Sequence, residues 1–457
     1  MKNVFRSVDR GTRGSGRRWS ELWLAWAVWV FVIGCPCDSF AQGTEASAPR
    51  VVLVRALRML DVRSGKIVED AALVIEGERI KAVGVAREIL KHTPAGIAVL
   101  DLGNVTVLPG LIDAHTHLMA RIPEGDSGYA LNLVTKSQAY RALEGAANAR
   151  ATLQAGFTTV RDVGNEGSHD ADVALRDAIE RGLIEGPRMR VATRAIAAVG
   201  RYHPFGISAN LEGLAGGAQM ISGVDDARRA VREQIGRGAD LIKVYADWSA
   251  PTLTVAELQV IVEEAHKAGR KVAAHATTPE GIRNAVAAGV DSIEHGTYAD
   301  QEVLRSMKAK SIFLVPTLAV ADAWAAQSPE NAASPQLKAL MEGARRTVEA
   351  ARAVGVKIVS GSDPSASDRH GKNAEELVAL TKRGLSALEA IQSATTLAAD
   401  LLGMADLVGT LEAGKYADLI AVEGNPLHDI ATLLRVKFVM KGGLVIKNDQ
   451  PLLRSVR

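Results

Sequence analysis

Between residues 108 and 400 the chain alternates short, nearly continuous apolar runs with longer segments whose apolar residues recur every three or four positions. A continuous run fits a strand buried on both faces, and the three-to-four recurrence fits an amphipathic helix. Eight strand-length runs are present: VLPGLIDAHTHL, TTVRDVG, RMRVATR, LIKVYAD, KVAAHAT, SIEHG, FLVPTLAV and KIVSGSD. Helical patterns such as SQAYRALEGAANARATLQAG, VDDARRAVREQIGRGA and TVAELQVIVEEAHKAG lie between them. Gly156, Gly238, Gly269 and Gly289 stand where helix C-caps are expected. Eight such alternations predict an α/β fold, a (β/α)8 TIM-like barrel over residues 108–400. A doubly wound open sheet is the competing arrangement, but no glycine-rich phosphate loop follows the first strand.

The flanks have a different texture. VVLVRALRML and AALVIEGERIKAVGV, with turn residues at Ser64-Gly65 and Glu76-Gly77, mark residues 50–107 as short strands, and ADLIAVEG and FVMKGGLVIKN do the same for 401–457. These two pieces predict one small β-sandwich domain built from both chain ends. Residues 1–41 differ again. Lys2, Arg6, Arg10, Arg13, Arg17 and Arg18 precede the 13-residue run LWLAWAVWVFVIG, and Ser39 and Ala41 offer a small-x-small site. The run is too short to span a bilayer as a helix, so the segment reads as a signal peptide cleaved after Ala41, with export to the periplasm or the extracellular space. Val32-Ile33-Gly34-Cys35 has the form of a lipoprotein signal, which would instead anchor the chain at Cys35. Arg17-Arg18 begins like a twin-arginine signal, from which Trp19-Ser20-Glu21 departs.

Removing that segment changes the charge. The full chain carries +2, whereas residues 42–457 hold 48 basic and 49 acidic side chains, a net −1. A nucleic-acid partner is not expected, and membrane contact is expected only through the signal or a lipid anchor. Both cysteines, Cys35 and Cys37, lie in or beside the signal, so the remaining chain has no disulfide to rely on. A homo-oligomer stays open.

The candidate chemistry sits at strand ends. Side chains two apart on a strand leave the same face, so His115 and His117 can reach one point in space, which is a metal-binding geometry. In a barrel of this kind active sites gather at the C-terminal ends of the strands. The fourth run carries Lys243, the fifth His275, the sixth His295 and the eighth Asp363. Bland readings stand beside these: core histidines for His275 and His295, a helix cap for Asp363, and an ion pair with Asp247 or Asp240 for Lys243. A lysine buried beside divalent cations loses its proton, and a neutral amine adds carbon dioxide to give a carbamate with two bridging oxygens. His92, His169, His266, His370 and His428 fall in loops or on polar helix faces and read as surface residues.

Together PGLIDAHTHL, the lysine of LIKVYAD, AHA, EHG and SGSD resemble the binuclear amidohydrolase superfamily, in its prolidase-like (Xaa-Pro dipeptidase) and imidazolonepropionase-related branch. The resemblance spans roughly residues 50–450. It implies that His115 and His117, with Asp363, hold the more buried of two divalent ions, and that N6-carboxylated Lys243 bridges to a second ion held by His275 and His295. Zn2+ is the expected ion. Imidazolonepropionases are typically mononuclear and lack the bridging lysine, so Lys243 argues against that activity. The implied reaction is hydrolysis of an amide or ester, with Asp363 as general base and then acid. Tyr245 shares the strand face of Lys243 and is positioned either to donate to the tetrahedral oxyanion or to pack in the barrel.

Substrate choice rests on loops. RAIAAVGRYHPFG, after the third run, holds Arg201, Tyr202 and His203, candidates for contacting a substrate carboxylate or carbonyl. Related enzymes often read Gly-Gly-His there, where this chain has Gly200-Arg201-Tyr202-His203. Arg161 and Arg194 are further anion candidates, with Arg161–Asp162 pairing as the alternative. The leading expectation is a small-molecule hydrolase cleaving dipeptides, Xaa-Pro included, or N-acyl amino acids. The alternatives are a lactonase or mycotoxin-type aromatic-amide hydrolase, and a non-catalytic binding protein on the same barrel.

Overall fold

Period-two alternation at both ends of the chain folds into one sheet. The structure is a computed structural model and describes residues 50–449 except 95, 123–127, 201–215, 249–251 and 367. Its first strands are β1 (Val51–Asp61), β2 (Lys66–Glu76), β3 (Arg79–Val85), β4 (Ala98–Asp101) and β5 (Val105–Pro109). The middle strands are β6 (Leu111–Thr116), β7 (Phe157–Asp162), β8 (Arg188–Val191), β9 (Ala195–Ala198), β10 (Ala218–Ile221), β11 (Leu241–Tyr245), β12 (Lys271–Ala276), β13 (Ser292–His295) and β14 (Phe313–Val315). The last are β15 (Leu419–Glu423), β16 (Phe438–Lys441) and β17 (Leu444–Asn448).

One sheet runs β17-β16-β15-β5-β1-β2-β3, with β4 beside β1. β5 knits the chain ends together, pairing parallel with β1 and antiparallel with β15 along Pro109↔Leu419 to Val105↔Glu423. Alternation then divides its two faces. Val107, Leu419, Ala421 and Phe438 join a core private to this sheet, while their neighbours Leu108, Ile420, Val422 and Val439 join the core of the barrel. The sheet is thereby packed onto the barrel by alternate residues of the same strands.

The first predicted strand divides at Gly110 into β5 and β6. A Cβ there would lie 2.2 Å from the Thr158 hydroxyl oxygen, so only glycine lets the chain cross from one sheet to the other. The barrel is an α/β distorted TIM-like ring. β6-β7-β8 form one parallel run and β9-β11-β12-β13-β14 another, with β10 outside β9. The amide of Asp240, just ahead of β11, joins the runs by donating to Val191 O.

The ring closes through the eighth predicted run, although that run is an irregular extended segment and not a strand. Leu314 N donates to Lys357 O on one side, and on the other Ala114 N donates to Ser360 O and Asp363 N to His115 O, at 2.9 Å each. Its irregularity has a local cause. Gly361 passes so close to β6 that a Cβ would lie 2.6 Å from the His115 Cβ. The seventh run also differs from expectation, since β14 ends at Val315 and Leu318–Gln327 is helical. All four expected C-cap glycines adopt positive φ, between 68° and 100°. Thr254 and Glu257 form a capping box at the start of helix Val255–Lys267. No helix among the described residues is long and apolar enough to cross a membrane.

Candidate metal centre

Five barrel positions deliver polar side chains to one cavity of about 380 Å3. His115 and His117 enter from β6, Lys243 and Tyr245 from β11, His275 from β12, His295 from β13 and Asp363 from the closing segment; all seven line it. Arg201, Tyr202 and His203 lie outside the described residues, as do the signal segment, Cys35 and Cys37. Backbone strain gathers at the same place. Glu166, His295, Thr317 and Asp363 line the cavity with φ between 50° and 68°, a region that L side chains adopt only when their surroundings impose it.

The histidine rings form an arc. Centroids are 5.2 Å apart for His117 and His115, 5.3 Å for His115 and His295, and 4.5 Å for His295 and His275. Ligand atoms of His115, His117 and Asp363 all lie within 4.8 Å of one another. Asp363 Oδ1 is 3.4 Å from His117 Nε2 and 3.9 Å from His115 Nε2. The opposite nitrogens are occupied: His115 Nδ1 by Glu294 at 2.7 Å, His117 Nδ1 by the Gly164 carbonyl at 2.9 Å, and His295 Nδ1 by Thr317 Oγ1 at 2.6 Å. Each of these three rings is thus held by one nitrogen and presents the other, the arrangement that orients imidazoles toward an ion.

The electrostatics fit a cation. Burial, with Lys243 close by, pushes His115 and His275 well below the ordinary range and brings His295 to about 3. Those three rings are neutral at physiological pH and keep lone pairs for coordination. His117 is the exception. Burial opposes its charge, but the Glu166 carboxylate 3.1 Å away, with Asp363 and Asp162, raises it to about 9, so an ion must displace a proton there. Burial lowers Lys243 to about 8. The two carboxylates considered as its partners are engaged elsewhere: Asp247 accepts from Thr277 and Thr278, and Asp240 pairs with Arg176. Imidazole and carboxylate donors of this kind suit a divalent metal ion.

Some supporting residues are invisible to motif reading. Glu294, fully buried on β13, accepts from Arg161 Nη2 with both carboxylate oxygens, at 2.8 and 2.9 Å, while holding His115. Arg161 is therefore neither an anion site nor the partner of Asp162, as expected above, but the counter-charge of a ligand-holding carboxylate. Arg194 instead donates to Gln219 at 3.3 Å. Asp113 accepts from the His115 and Ser362 amides and from Asn373 Nδ2, tying β6 to the closing segment. His370, expected at the surface, is half-buried and its Nε2 bonds to the Ala120 carbonyl at 2.8 Å. The available signal for Arg161 and Glu294 was a charged residue inside a strand-length run of the barrel, since unpaired charges are rarely buried. Arg161→Leu is expected to destabilise the fold by about 3–5 kcal/mol, because Glu294 would be left as an uncompensated buried charge. Chemical denaturation checks this, and Arg161→Leu with Glu294→Gln should recover much of the loss.

A distorted parallel barrel with histidine, lysine and aspartate at its strand ends defines a metal-dependent hydrolase with a binuclear-type site. The chain belongs to the amidohydrolase family, whose model matches residues 106–446. It is 33% identical over 421 residues to the ochratoxinase of Aspergillus niger, covering 84% of each chain. The crystal structure of that ochratoxinase superposes with a TM-score of 0.77 at 31% identity, covering 87% of this chain and 96% of that one. A Xaa-Pro dipeptidase with bound methionine in its active site gives 0.77 at 33% identity, covering 86% and 99%.

Proposed function

We propose that the chain hydrolyses the amide C–N bond of a small molecule carrying an aromatic or bulky apolar group, using two divalent ions, Zn2+ in the first place, that His115, His117, His275, His295, Asp363 and an N6-carboxylated Lys243 would hold. The observation that carries the substrate class is the wall facing the ligand arc. Trp248, Leu318, Val320, Trp324, Leu340 and Met341 line it. Trp248 lies 5.1 Å from the His275 ring at a tilt of 33°, which sets a flat face beside the centre. Arg383, which also lines the cavity, is held by Asp322 at 2.8 Å. Among the described residues the wall thus offers apolar contact in place of an uncommitted guanidinium for a charged substrate end. The likeness to ochratoxinase supports this reading over a dipeptide.

When bound, such ions polarise a substrate carbonyl and lower the pKa of water. The chain's own residues supply the rest. Asp363, beside both β6 histidines, accepts the proton of the attacking water and returns it to the leaving nitrogen. Tyr245, its ring 5.2 Å from that of His275, offers its hydroxyl to the developing oxyanion. Glu294, Glu166 and Thr317 fix the rings around which this happens. We propose export as well, on the strength of the basic and apolar segment 1–41, with cleavage after Ala41 as the first choice and lipidation at Cys35 as the second.

A substrate panel separates the readings. Aromatic amides such as ochratoxin are expected to be cleaved with kcat/KM about tenfold or more above Xaa-Pro dipeptides, since burying one aromatic group against the wall is worth at least about 1.4 kcal/mol. The reverse order favours the dipeptide reading that the Xaa-Pro dipeptidase similarity supports, and preference for lactones would sink the amide assignment. Tight binding with no turnover by metal-loaded protein would point to a binding protein. Trp248→Ala should reduce the aromatic preference and leave metal content unchanged.

A further inference from the structure

Thr317 sits where a helix needs a cap and does something else. It precedes helix Leu318–Gln327, and the side chain at that position normally accepts an amide hydrogen bond from the first turn. Here it makes no such bond, and its hydroxyl lies 2.6 Å from His295 Nδ1. The residue is also held at φ 50°, a conformation that a β-branched side chain rarely adopts. Glu376, fully buried on helix Glu375–Lys382, takes over the cap by accepting from the Ala319 amide at 2.7 Å. Arg383, directly after that helix, fastens the same segment again through Asp322.

Resting on the metal-centre reading above, we infer that Thr317 is a positioning residue for His295, released from its capping duty by Glu376. The Thr317 oxygen accepts the Nδ1 proton, which fixes the tautomer that leaves Nε2 for an ion. Because the helix that begins at Leu318 also carries Val320, Ala321 and Trp324, the apolar wall and this ligand ring are set by the same two anchors. Burial pushes the Glu376 carboxyl up to about 8, and in either protonation state an oxygen remains to accept the Ala319 amide.

The test is zinc affinity measured by competition with a chromophoric chelator, alongside thermal unfolding. Thr317→Val, which keeps shape and branching, is expected to weaken the looser-bound ion about 10- to 100-fold, and Thr317→Ser to stay within about threefold of the parent. Thr317→Gly relieves the left-handed backbone and should lose the same affinity without a lower Tm, which separates loss of the hydroxyl from loss of the fold. Glu376→Ala should weaken zinc in the same direction, whereas Glu376→Gln, which keeps an acceptor oxygen, should not. Equal affinity for the parent and Thr317→Val, or a Thr317→Ser as weak as Thr317→Val, overturns the role of Thr317. A parent protein that takes up no ion overturns the metal-centre reading itself.

Discussion

Asp363→Asn is expected to lower kcat by about 10^2- to 10^4-fold, the range for removing a positioned acid–base group. The substitution keeps the size of the side chain and one oxygen beside His117 Nε2, now 3.4 Å away, so an ion keeps a donor there. What an amide lacks is the ability to take a proton from water and carry it to the leaving nitrogen. The backbone should hold its place, because the amide of residue 363 donates to His115 O at 2.9 Å irrespective of the side chain, and asparagine tolerates the left-handed φ of 50°. Metal content by elemental analysis should therefore stay close to the parent while turnover collapses. A variant within tenfold of the parent would remove Asp363 from the proton pathway.

On the proposed two-ion reading, Lys243→Ala is expected to halve the metal content from two ions per chain to one and to cut kcat/KM by about 10^2- to 10^3-fold, the loss typical of a deleted electrostatic contact at the reacting atoms. Formate or acetate should restore part of both, since the space left by a fully buried side chain can admit a small carboxylate. The carboxylation proposed above would also give a pH signature whose sign follows from burial. Desolvation lowers the amine to about 8, so below that pH the protonated form dominates and above it the neutral form does. Only the neutral amine adds carbon dioxide. Reloading of metal-free protein in bicarbonate should accelerate from about pH 7 to about pH 9 and then level off, as the neutral fraction climbs from about one tenth to nearly all. A flat profile, or an unmodified Lys243 mass in active protein, would count against the carbamate.

Much of this architecture was legible because it is locally encoded. Eight runs at strand length separated by helical periodicity specify a barrel without reference to any contact, and alternation in β5, β15 and β16 already assigns each side chain to one of two cores. The candidate donors could be named for the same reason: a histidine, lysine or aspartate at the end of a barrel strand falls where that fold gathers its site, and all of them line one cavity. The eighth strand was not, since its ladder is broken by the approach of Gly361 to His115, a contact between residues far apart in sequence. Nor was the end of the seventh, where Thr317 turns left-handed and a helix begins at Leu318, three residues after the strand stops.

The sequence by itself determined the alternation of strand and helix, the polar residues at the strand ends and the family, because period, residue type and spacing are properties of neighbouring positions. Only the tertiary structure decided what holds those donors. His115 meets Glu294 across 179 residues, and Ala319 meets Glu376 across 57. Such pairs exist only once the ring has closed and desolvation has made an unpartnered charge or amide costly, so their identity follows from the packing and from no local pattern.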